Sequence, residues 1–357
     1  MPTLQQRDLL LHAPGWLRPW RFRRRISIDN SAQASALTDF PLTVKLTASR
    51  INYANTQAGG ADLRFTDAAG NVLAHEIESW SAGGTSLAHV RVPSIPASSP
   101  AGYVWMYYGN PAAADGQDKA NVWRSEYKAV YHLSESGNGT AGEYKDSTSN
   151  ANHGRGGNGV AANVPAQNTS GAVGNAQTFD GTGDYILVPN AASLYVSGAF
   201  SVGAWVYRTG SPSSSWGGYI FCDYNSAGNA CSFALLLNGS SATPNTVGFF
   251  WENGGAPQAN SSTVLALNTW YHVVGTWDGT TRRLYINGAA DGTNATAQSR
   301  SDNGGDTAIG RAGSYTDLFF PGALDEVFLY SGALSAAWIA ATYKSQADTF
   351  CTFGSEE

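Results

Sequence analysis

The sequence predicts an almost all-β protein built from two domains. Of its 357 residues, 13% are charged and 12% are aromatic, and 41 are glycines. Aromatic and β-branched side chains fit the pleated surface of a sheet, and glycine supplies the positive φ angles of tight turns. At roughly 100–200 residues per domain, the length suggests two domains, each large enough to bury a core.

The first part of the chain predicts an N-terminal arm over residues 1–17 and a small antiparallel, sandwich-like β domain over residues 18–124. Its segments alternate apolar and polar residues and are bounded by Gly, Pro, Asn or Ser: RISID, FPLTVKL, ADLRFTD, LAHVRVP and YVWMYYG. Such alternation is typical of half-buried strands. Residues 109–124 are rich in turn formers and then weakly helical, which marks a boundary.

One local charge cluster stands out from an otherwise acidic chain with a net charge of -6 and a pI near 5.5. That balance provides no global field for nucleic acid, so we expect no nucleic-acid partner. The cluster is the segment WRFRRRISID, which we interpret as an exposed edge strand whose arginines prevent edge-to-edge pairing. The alternative is an anchoring arm that docks on neighbouring proteins of a larger assembly.

The second part, residues 125–357, predicts an antiparallel sandwich. Nine strand-like runs follow one another at near-regular spacing: DYILVP, FSVGAWVYR, YIFCDY, SFALLLN, TVGFFWE, TWYHVVGTWD, RRLYING, TAIGRA and GALDEVFLYSGAL. The polar stretch 137–174 is too long for one loop, so we expect short strands within it. One short C-terminal helix is predicted over Ser335–Gln346, with Ser335 as its N-cap.

Four segments of the second part carry a resemblance to a known fold: FDGTGDYILVP, FSVGAWVY, WYHVVGTWDGTTRRLYINGA and GALDEVFLYSGALSAAWI. In this order they resemble the concanavalin A-like lectin fold, in its laminin-G-like bacterial branch, over residues 125–357. The resemblance implies a jelly-roll sandwich.

Residues 20–123 resemble a bacterial domain of unknown function, family 2341, on the pieces ADLRFTDAAGN, HEIESW and YVWMYYGNP. In that family this module commonly precedes a lectin-like sandwich, in bacterial surface proteins, membrane-channel fusions and phage proteins. The sequence has no apolar run of about 18 residues for a membrane span, nor the shorter core of a secretory signal. The expected setting is therefore extracellular, on a virion surface or tail. If a signal peptide was removed, it is the bacterial cell surface or periplasm.

Catalytic motifs are not found. A hydrolase of this fold would resemble the family-16 glycosidases, whose acids alternate along one strand as E-x-D-x-x-E or E-x-D-x-E to place two carboxyls close together. Only Glu76 and Glu78 in HEIES share a strand face, without a third acid and in the first domain. No G-x-S-x-G motif accompanies the histidines, and His272 is interpreted as a packed strand residue. We expect no enzyme, with a polysaccharide hydrolase or lyase as an alternative.

Glycan binding is better supported, because lectin-like sites combine a planar aromatic ring with polar groups for the sugar hydroxyls. The candidate ligand-binding residues are Trp216, Tyr219, Tyr224, Trp251, Asn253 and Arg311. Trp216 lies in the polar loop GSPSSSWGGY, where it has little reason to be buried. For Trp205, in the middle of a strand, a core position is the stronger interpretation.

The resemblance also implies a structural Ca²⁺ that bridges the first and last strands of such a sandwich. Its expected ligand in the last strand is Asp325 in ALDEVFLY, and its partners come from Asp180 or Asp184 in FDGTGD. Calcium takes 6–8 oxygen ligands, so backbone carbonyls and waters would complete the site. The alternative is that Asp180 caps a turn and Asp325 accepts backbone N–H groups.

Three cysteines occur, and Cys222 and Cys231 flank a predicted hairpin loop. A local disulfide between them is open, but free thiols are favoured. The whole sequence thus predicts a non-catalytic surface-binding protein, a phage virion or tail adhesin that recognises glycans or a cell-surface polysaccharide as a homo-oligomer. The structural alternative is a virion or decoration component that contacts only protein neighbours.

Overall fold

The computed structural model describes residues 16–225, 230–253, 258–296, 304–313, 315 and 317–357, apart from the side chains of residues 225, 230, 252 and 253. These residues form two compact units. The first contains residues up to Arg124 together with Lys344–Glu357, and the second is Ser125–Tyr343. Nearly all of the predicted arm, residues 1–15, lies outside this description.

The first unit consists of two antiparallel sheets, as the alternating segments predict. Its five-stranded sheet has the order β23-β1-β7-β3-β4 and its three-stranded sheet the order β2-β6-β5. In the second half of β1 and in the first half of β7 buried residues alternate with more exposed ones, because successive side chains point to opposite faces of a strand. The strands are β1 (Phe22–Ile28), β2 (Leu37–Leu46), β3 (Arg64–Thr66), β4 (Val72–Leu73), β5 (His75–Ser79), β6 (Ser86–Ile95), β7 (Gly102–Tyr108) and β23 (Cys351–Glu356), and a short helix α1 (Lys119–Val122) precedes the second unit.

Strand β1 corrects two expectations. It pairs with β7 along its whole length and with β23 on its other side, so WRFRRRISID is an interior strand rather than an exposed edge. The partner β23 comes from the C-terminus, where Cys351 pairs with Ile28. Residues 344–357 therefore belong to the first unit, whereas the sequence placed them in a second domain of residues 125–357.

The second unit is a sandwich of an eight-stranded and a seven-stranded sheet. The first has the order β10-β11-β22-β13-β18-β19-β20, with β8 also paired to β22, and the second has the order β17-β16-β15-β14-β21-β12-β9. The strands are β8 (Tyr127–Tyr131), β9 (Arg155–Gly156), β10 (Ala166–Asn168), β11 (Ala176–Asp180), β12 (Ile186–Val188), β13 (Phe200–Arg208), β14 (Gly218–Asn225), β15 (Ala230–Leu237), β16 (Thr246–Asn253), β17 (Ala259–Val264), β18 (Trp270–Trp277), β19 (Arg282–Ile286), β20 (Ala289–Asn294), β21 (Thr307–Ile309) and β22 (Pro321–Ser331).

The core of the second unit lies between its two sheets and is dominated by aromatic rings. Phe200 of β13 contacts Phe233 and Phe249 of the facing sheet, with ring centroids 6.4 and 5.5 Å apart. All three side chains are fully buried. The Phe200–Phe249 pair is edge-to-face, an arrangement that adds about 0.5–1.5 kcal/mol to the energy of burial. The inward positions of these strands thus explain the apolar half of the alternating pattern.

The C-terminal helix α2 (Ala336–Gln346) begins where the sequence predicts it. The Trp338 N–H donates to the Ser335 hydroxyl over 3.2 Å, which confirms Ser335 as a capping residue. On the outer face of the eight-stranded sheet, Trp205 and His272 pack against each other and against Tyr343 of this helix. The predictions that Trp205 is a core residue and His272 a packed one are confirmed by their burial.

Candidate functional site

The exposed aromatic residue of the second unit is Trp216, in the loop between β13 and β14. Its side chain is 70% exposed, which is the highest exposure of any large apolar side chain that the structure describes. The backbone N–H of Trp216 donates to the Ser214 hydroxyl over 3.3 Å. The indole is therefore presented to solvent from an ordered turn of serines, as the sequence predicts for this residue.

The Trp216 loop is supported by the neighbouring loop that joins β15 to β16. Both the backbone N–H and the hydroxyl of Ser241 donate to the Ser215 carbonyl, over 2.9 and 2.6 Å. A Cβ atom at Gly239 would lie only 2.3 Å from the Ser214 carbonyl oxygen, so the two loops approach closely enough to require glycine. This support holds the backbone beside Trp216 before any ligand arrives, which lowers the cost of ordering on binding.

Tyr219 and Tyr224, which the sequence assigned to ligand binding, are buried at 5% exposure each. They lie on the outer face of the seven-stranded sheet in a second apolar cluster with Phe250. The segment after β21 covers this cluster with Ala312 and Leu318, and Tyr315 packs against it. The ligand-binding assignment of both tyrosines is therefore wrong, because the face that they occupy is covered by the chain itself.

Trp251 is also misassigned, since it lies in the core between the two sheets with 1% exposure. Its ring lies 4.8 Å from that of Trp277, and the Arg282 guanidinium stacks on it at 3.8 Å. The strand-end position suggested exposure, but the side chain points inward. The side chain of Asn253, the neighbouring candidate, lies outside the described residues.

Arg311 is half-buried and stacks on the ring of Tyr185, with its guanidinium carbon 3.4 Å from the ring centroid. Burial lowers the pKa of this guanidinium, although Tyr185 partly offsets the effect. The contact accounts for the position of Arg311 without any ligand. Among the six predicted ligand-binding residues, only Trp216 combines a described side chain with open exposure.

The turn FDGTGD takes the chain from one sheet of the sandwich to the other, because β11 and β12 belong to different sheets. Asp180 Oδ1 accepts the backbone N–H groups of Thr182, Gly183 and Asp184, and Oδ2 accepts the Thr182 hydroxyl. Burial alone would raise the pKa of Asp180, but these hydrogen bonds lower it to about 2. Asp180 thus caps a turn, which was the alternative to the metal site.

The three proposed calcium ligands are not brought together. Pairing of β11 with β22 places Asp180 opposite Pro321, four positions before Asp325 on the same strand. At about 3.4 Å per residue, these positions lie about 14 Å apart, whereas every ligand oxygen of a Ca²⁺ lies within about 2.6 Å of the ion. Asp325 is fully buried, and its Oδ2 accepts the Val173 N–H over 2.8 Å. This register does not bring Asp180, Asp184 and Asp325 to a common ion, and a structural Ca²⁺ stays a prediction.

The candidate acids of the first unit hold structural contacts. Glu76 Oε2 accepts the indole N–H of Trp123 over 2.9 Å, and Glu78 Oε2 lies 2.9 Å from His89 Nε2. Cys222 and Cys231 are not bonded to each other, although β14 and β15 form the predicted hairpin. Burial raises the pKa of the Cys222 thiol strongly, which makes it a poor nucleophile.

Sequence reasoning missed a half-buried aromatic pair on the outer face of the eight-stranded sheet. The rings of Tyr207 and Trp270 are 5.3 Å apart, on paired positions of β13 and β18. Trp270 Nε1 donates to the Ser170 carbonyl over 3.4 Å. The signal was present in the sequence, because Tyr207 alternates with the inward residues of FSVGAWVYR.

The second unit has the architecture of a lectin-like β-sandwich, and the family comparison agrees. Residues 180–340 match the model of the concanavalin A-like lectin/glucanases superfamily. Residues 59–141 match the model of the domain of unknown function DUF2341. The two matches follow each other in the order that the sequence predicts. A search of curated proteins gives no match.

Solved structures resemble the chain only distantly. Domain 4 of AbnA, a GH43 extracellular arabinanase from Geobacillus stearothermophilus in complex with arabinotriose, is 19% identical, with a TM-score of 0.49 over 60% of this chain and 97% of that one. The binding domain of Paraclostridial Mosquitocidal Protein 1 is 15% identical, with a TM-score of 0.47 over 62% of this chain and 52% of that one. The botulinum neurotoxin serotype D ligand binding domain in complex with N-acetylneuraminic acid is 13% identical, with a TM-score of 0.44 over 64% and 53%. The chain thus spans about half of each toxin domain.

In the part of the chain that the structure describes, no helix is long and apolar enough to span a bilayer.

Proposed function

We propose that the second unit binds glycans without catalysing a reaction, and that a sugar ring stacks on Trp216. The observation that carries this proposal is the 70% exposure of an indole on a loop braced by a second loop. An indole left in water forgoes the roughly 1.5–3 kcal/mol that burying a large apolar side chain contributes. A sugar recovers part of that energy by covering the ring with its C–H face.

The polar surroundings of Trp216 fit the hydroxyl groups of a sugar. Ser214 and Ser215 precede the indole, and Ser241 lies against the same turn. The Ser214 hydroxyl already accepts the backbone N–H of Trp216. It still has a second acceptor lone pair and one donor for a sugar hydroxyl. A shallow site of this kind has low affinity for one sugar. Binding to a surface then depends on several copies acting together.

The setting that we propose is extracellular, on a virion surface or tail, with the chain as a homo-oligomer that recognises a cell-surface polysaccharide. The pairing of the two family modules supports it, since the resemblance includes phage and bacterial surface proteins. The purely structural alternative predicts Trp216 and Trp251 at protein–protein contacts. Trp251 is in the core, so it is not available for such a contact.

A glycan array probed with the intact protein tests the proposal, with affinity for each hit then measured by titration. We expect Trp216→Ala to weaken binding at least about fivefold, because covering part of the indole contributes on the order of 1 kcal/mol or more. Leu267→Ala is the matched control, since Leu267 is an exposed apolar residue on another loop at 50% exposure. Equal loss in both variants, or no glycan bound by the intact protein, would refute the proposal.

A further inference from the structure

The outer face of the five-stranded sheet in the first unit carries a row of arginines stacked on aromatic rings. The Arg23 guanidinium lies between Trp16 and Trp105, 4.3 and 3.9 Å from their ring centroids. The Arg25 guanidinium lies 4.1 Å from the ring centroid of Tyr103. Pairing of β1 with β7 sets this arrangement. Arg25 is directly opposite Trp105 and Ser27 is opposite Tyr103, so each guanidinium stacks on the β7 ring diagonally opposite its own residue.

The stacked guanidinium groups keep their N–H edges available. A guanidinium that lies flat on an aromatic ring uses its face for that contact, while its five N–H donors point outward in the plane. Arg23 already donates from Nε and Nη2 to Glu357 Oε2, over 2.8 and 2.7 Å. Arg25 is exposed, as is Arg21 just before the strand, and neither forms an ion pair with a described residue. Arg21 and Arg25 thus leave positive charge unneutralised on this face.

The spacing along β1 places these charges at regular intervals. Residues two apart on a strand lie on the same face about 6.8 Å from each other. Arg23 and Arg25 therefore share the face that carries Tyr103 and Trp105, and the exposed Arg21 directly precedes the strand. A flexible polymer with several carboxylates can reach successive arginines of this row, since each guanidinium fork matches one carboxylate with two parallel hydrogen bonds.

We propose that this arginine–aromatic face binds a carboxylated polysaccharide, such as a polymer of uronic acids. The charge complementarity is local, because the chain as a whole is acidic with a net charge of -6. The negative charge of the whole chain opposes binding of a nucleic acid, whose phosphates are densely spaced. The same negative charge opposes a polymer with one carboxylate per sugar more weakly, and the Arg–carboxylate fork adds a specific contact.

An acidic protein is a less suitable occupant of this face. The buried core of a protein–protein interface is rich in apolar and aromatic surface; Arg, Tyr and Trp are enriched there, whereas other charged residues are depleted. Here the rings of Tyr103 and Trp105 are already covered by guanidinium groups. Of the described residues on these strands, Val72 is the exposed large apolar one, at 55% exposure. The face offers a line of charges but little apolar surface.

The test measures binding of the intact protein to polygalacturonate at low ionic strength, where Debye screening is weak. We expect Arg21→Gln with Arg25→Gln to lower the affinity at least about tenfold, because two charge-assisted hydrogen-bonding groups are lost. Arg21→Lys with Arg25→Lys keeps the charge but loses the forks, so we expect an intermediate affinity. Lys119→Gln with Lys128→Gln, which removes the same charge elsewhere, is the matched control and retains wild-type affinity.

Three further outcomes decide the identity of the ligand. Methyl-esterified polygalacturonate, which lacks the charges, is expected not to bind. Equal affinity for polyglutamate, for dextran sulfate or for single-stranded DNA would overturn the proposal in favour of general polyanion attraction. Trp216→Ala is expected to leave polygalacturonate binding unchanged. This surface and the Trp216 site therefore succeed or fail separately.

Discussion

Asp180 and Asp184 hold each other's backbone in the turn that joins the two sheets of the sandwich. Asp184 Oδ2 accepts the Asp180 N–H over 3.0 Å, and Asp180 Oδ1 accepts the Asp184 N–H over 3.1 Å. Gly181 between them has φ +77°, and a Cβ there would lie 2.9 Å from Pro321. Two carboxylates and one glycine therefore fix the point where the chain changes sheets.

The first prediction concerns Asp180, which we expect to stabilise this turn as a helix N-cap residue stabilises a helix. Asp180→Ala leaves three backbone N–H groups without their acceptor and is expected to lower the free energy of unfolding by about 1–2 kcal/mol. Asp180→Asn keeps an acceptor oxygen and is expected to lose less. Chemical denaturation of both variants measures the difference, and an equal loss would contradict the capping role.

Asp184, in contrast to Asp180, is expected to destabilise the folded state at neutral pH. Burial, and then the charge of Asp180, raise the pKa of Asp184 from 3.8 to about 6. The folded state therefore binds this proton more tightly than the unfolded state, so the cost of ionising Asp184 is present above pH 6 and disappears as the pH falls below 4. Asp184→Asn should stabilise the protein at pH 7 by about 1 kcal/mol, after allowance for solvent screening.

The measurement for Asp184 is a comparison of unfolding free energies at pH 7 and pH 4. The gain from Asp184→Asn is expected at pH 7 and not at pH 4, because the wild-type carboxyl is then protonated in the folded state. A gain of the same size at both pH values would show that charge is not its cause.

Most of the fold could be predicted because period-two alternation reports on sheet faces directly. All nine predicted runs of the second part contain strands, from β12 to β22. The missed strands β17 (ANSSTV) and β20 (AADGTN) are polar, and both have exposed positions. The pairing of β23 with β1 joins the two ends of the chain. Local patterns cannot specify a contact of that sequence separation.

The candidate site was predicted less well, because exposure depends on what covers a face. Trp216 could be found, since its loop contains no other large apolar residue to pack against. Tyr219 and Tyr224 both point away from the main core although they are five residues apart, because irregularities in the pairing of β14 interrupt its alternation. The segment that buries them lies nearly 90 residues further along the chain. No local sequence pattern predicts that this segment covers the two tyrosines.

Trp251 is expected to behave as a core residue and not as a binding residue. Trp251→Ala removes a buried indole that packs on Phe200 and Trp277, with ring centroids 5.7 and 4.8 Å away. The expected cost is about 3–5 kcal/mol of unfolding free energy, while Trp216→Ala should cost less than about 0.5 kcal/mol. Thermal and denaturant unfolding of both variants measure this contrast. Similar stability of the two variants would contradict the placement of Trp251.

Asp325 is expected to stabilise the second unit through a hydrogen bond rather than through calcium. Asp325→Ala leaves the buried Val173 N–H without its carboxylate acceptor, which is expected to cost about 1–3 kcal/mol. The loss in melting temperature should be the same with excess calcium and with EDTA. A loss that appears only with calcium present would instead show that Asp325 belongs to a metal site.

The last prediction is an acid sensitivity that originates from His75 in the first unit. The side chain is fully buried, with its ring 5.5 Å from that of Phe65. Burial, followed by the charge of Arg64, lowers the pKa of His75 from 6.5 to about 4. Between these values the unfolded state binds a proton that the folded state does not, so stability is lost as the pH falls from 6.5 to 4. One such group changes the unfolding free energy by at most about 1.4 kcal/mol per pH unit.

His75→Leu removes the titrating group and is expected to flatten the decline in unfolding free energy between pH 6.5 and 4. The substitution also changes the packing. The test therefore compares the slope of the unfolding free energy against pH and does not use the absolute stability. Lys119→Gln, at an exposed position, serves as the control and should leave the slope unchanged. His272 has its pKa lowered by burial to about 3 and would maintain part of the slope in the variant. An unaltered slope in His75→Leu would mean that His75 is already protonated, or accessible to protons, in the folded protein.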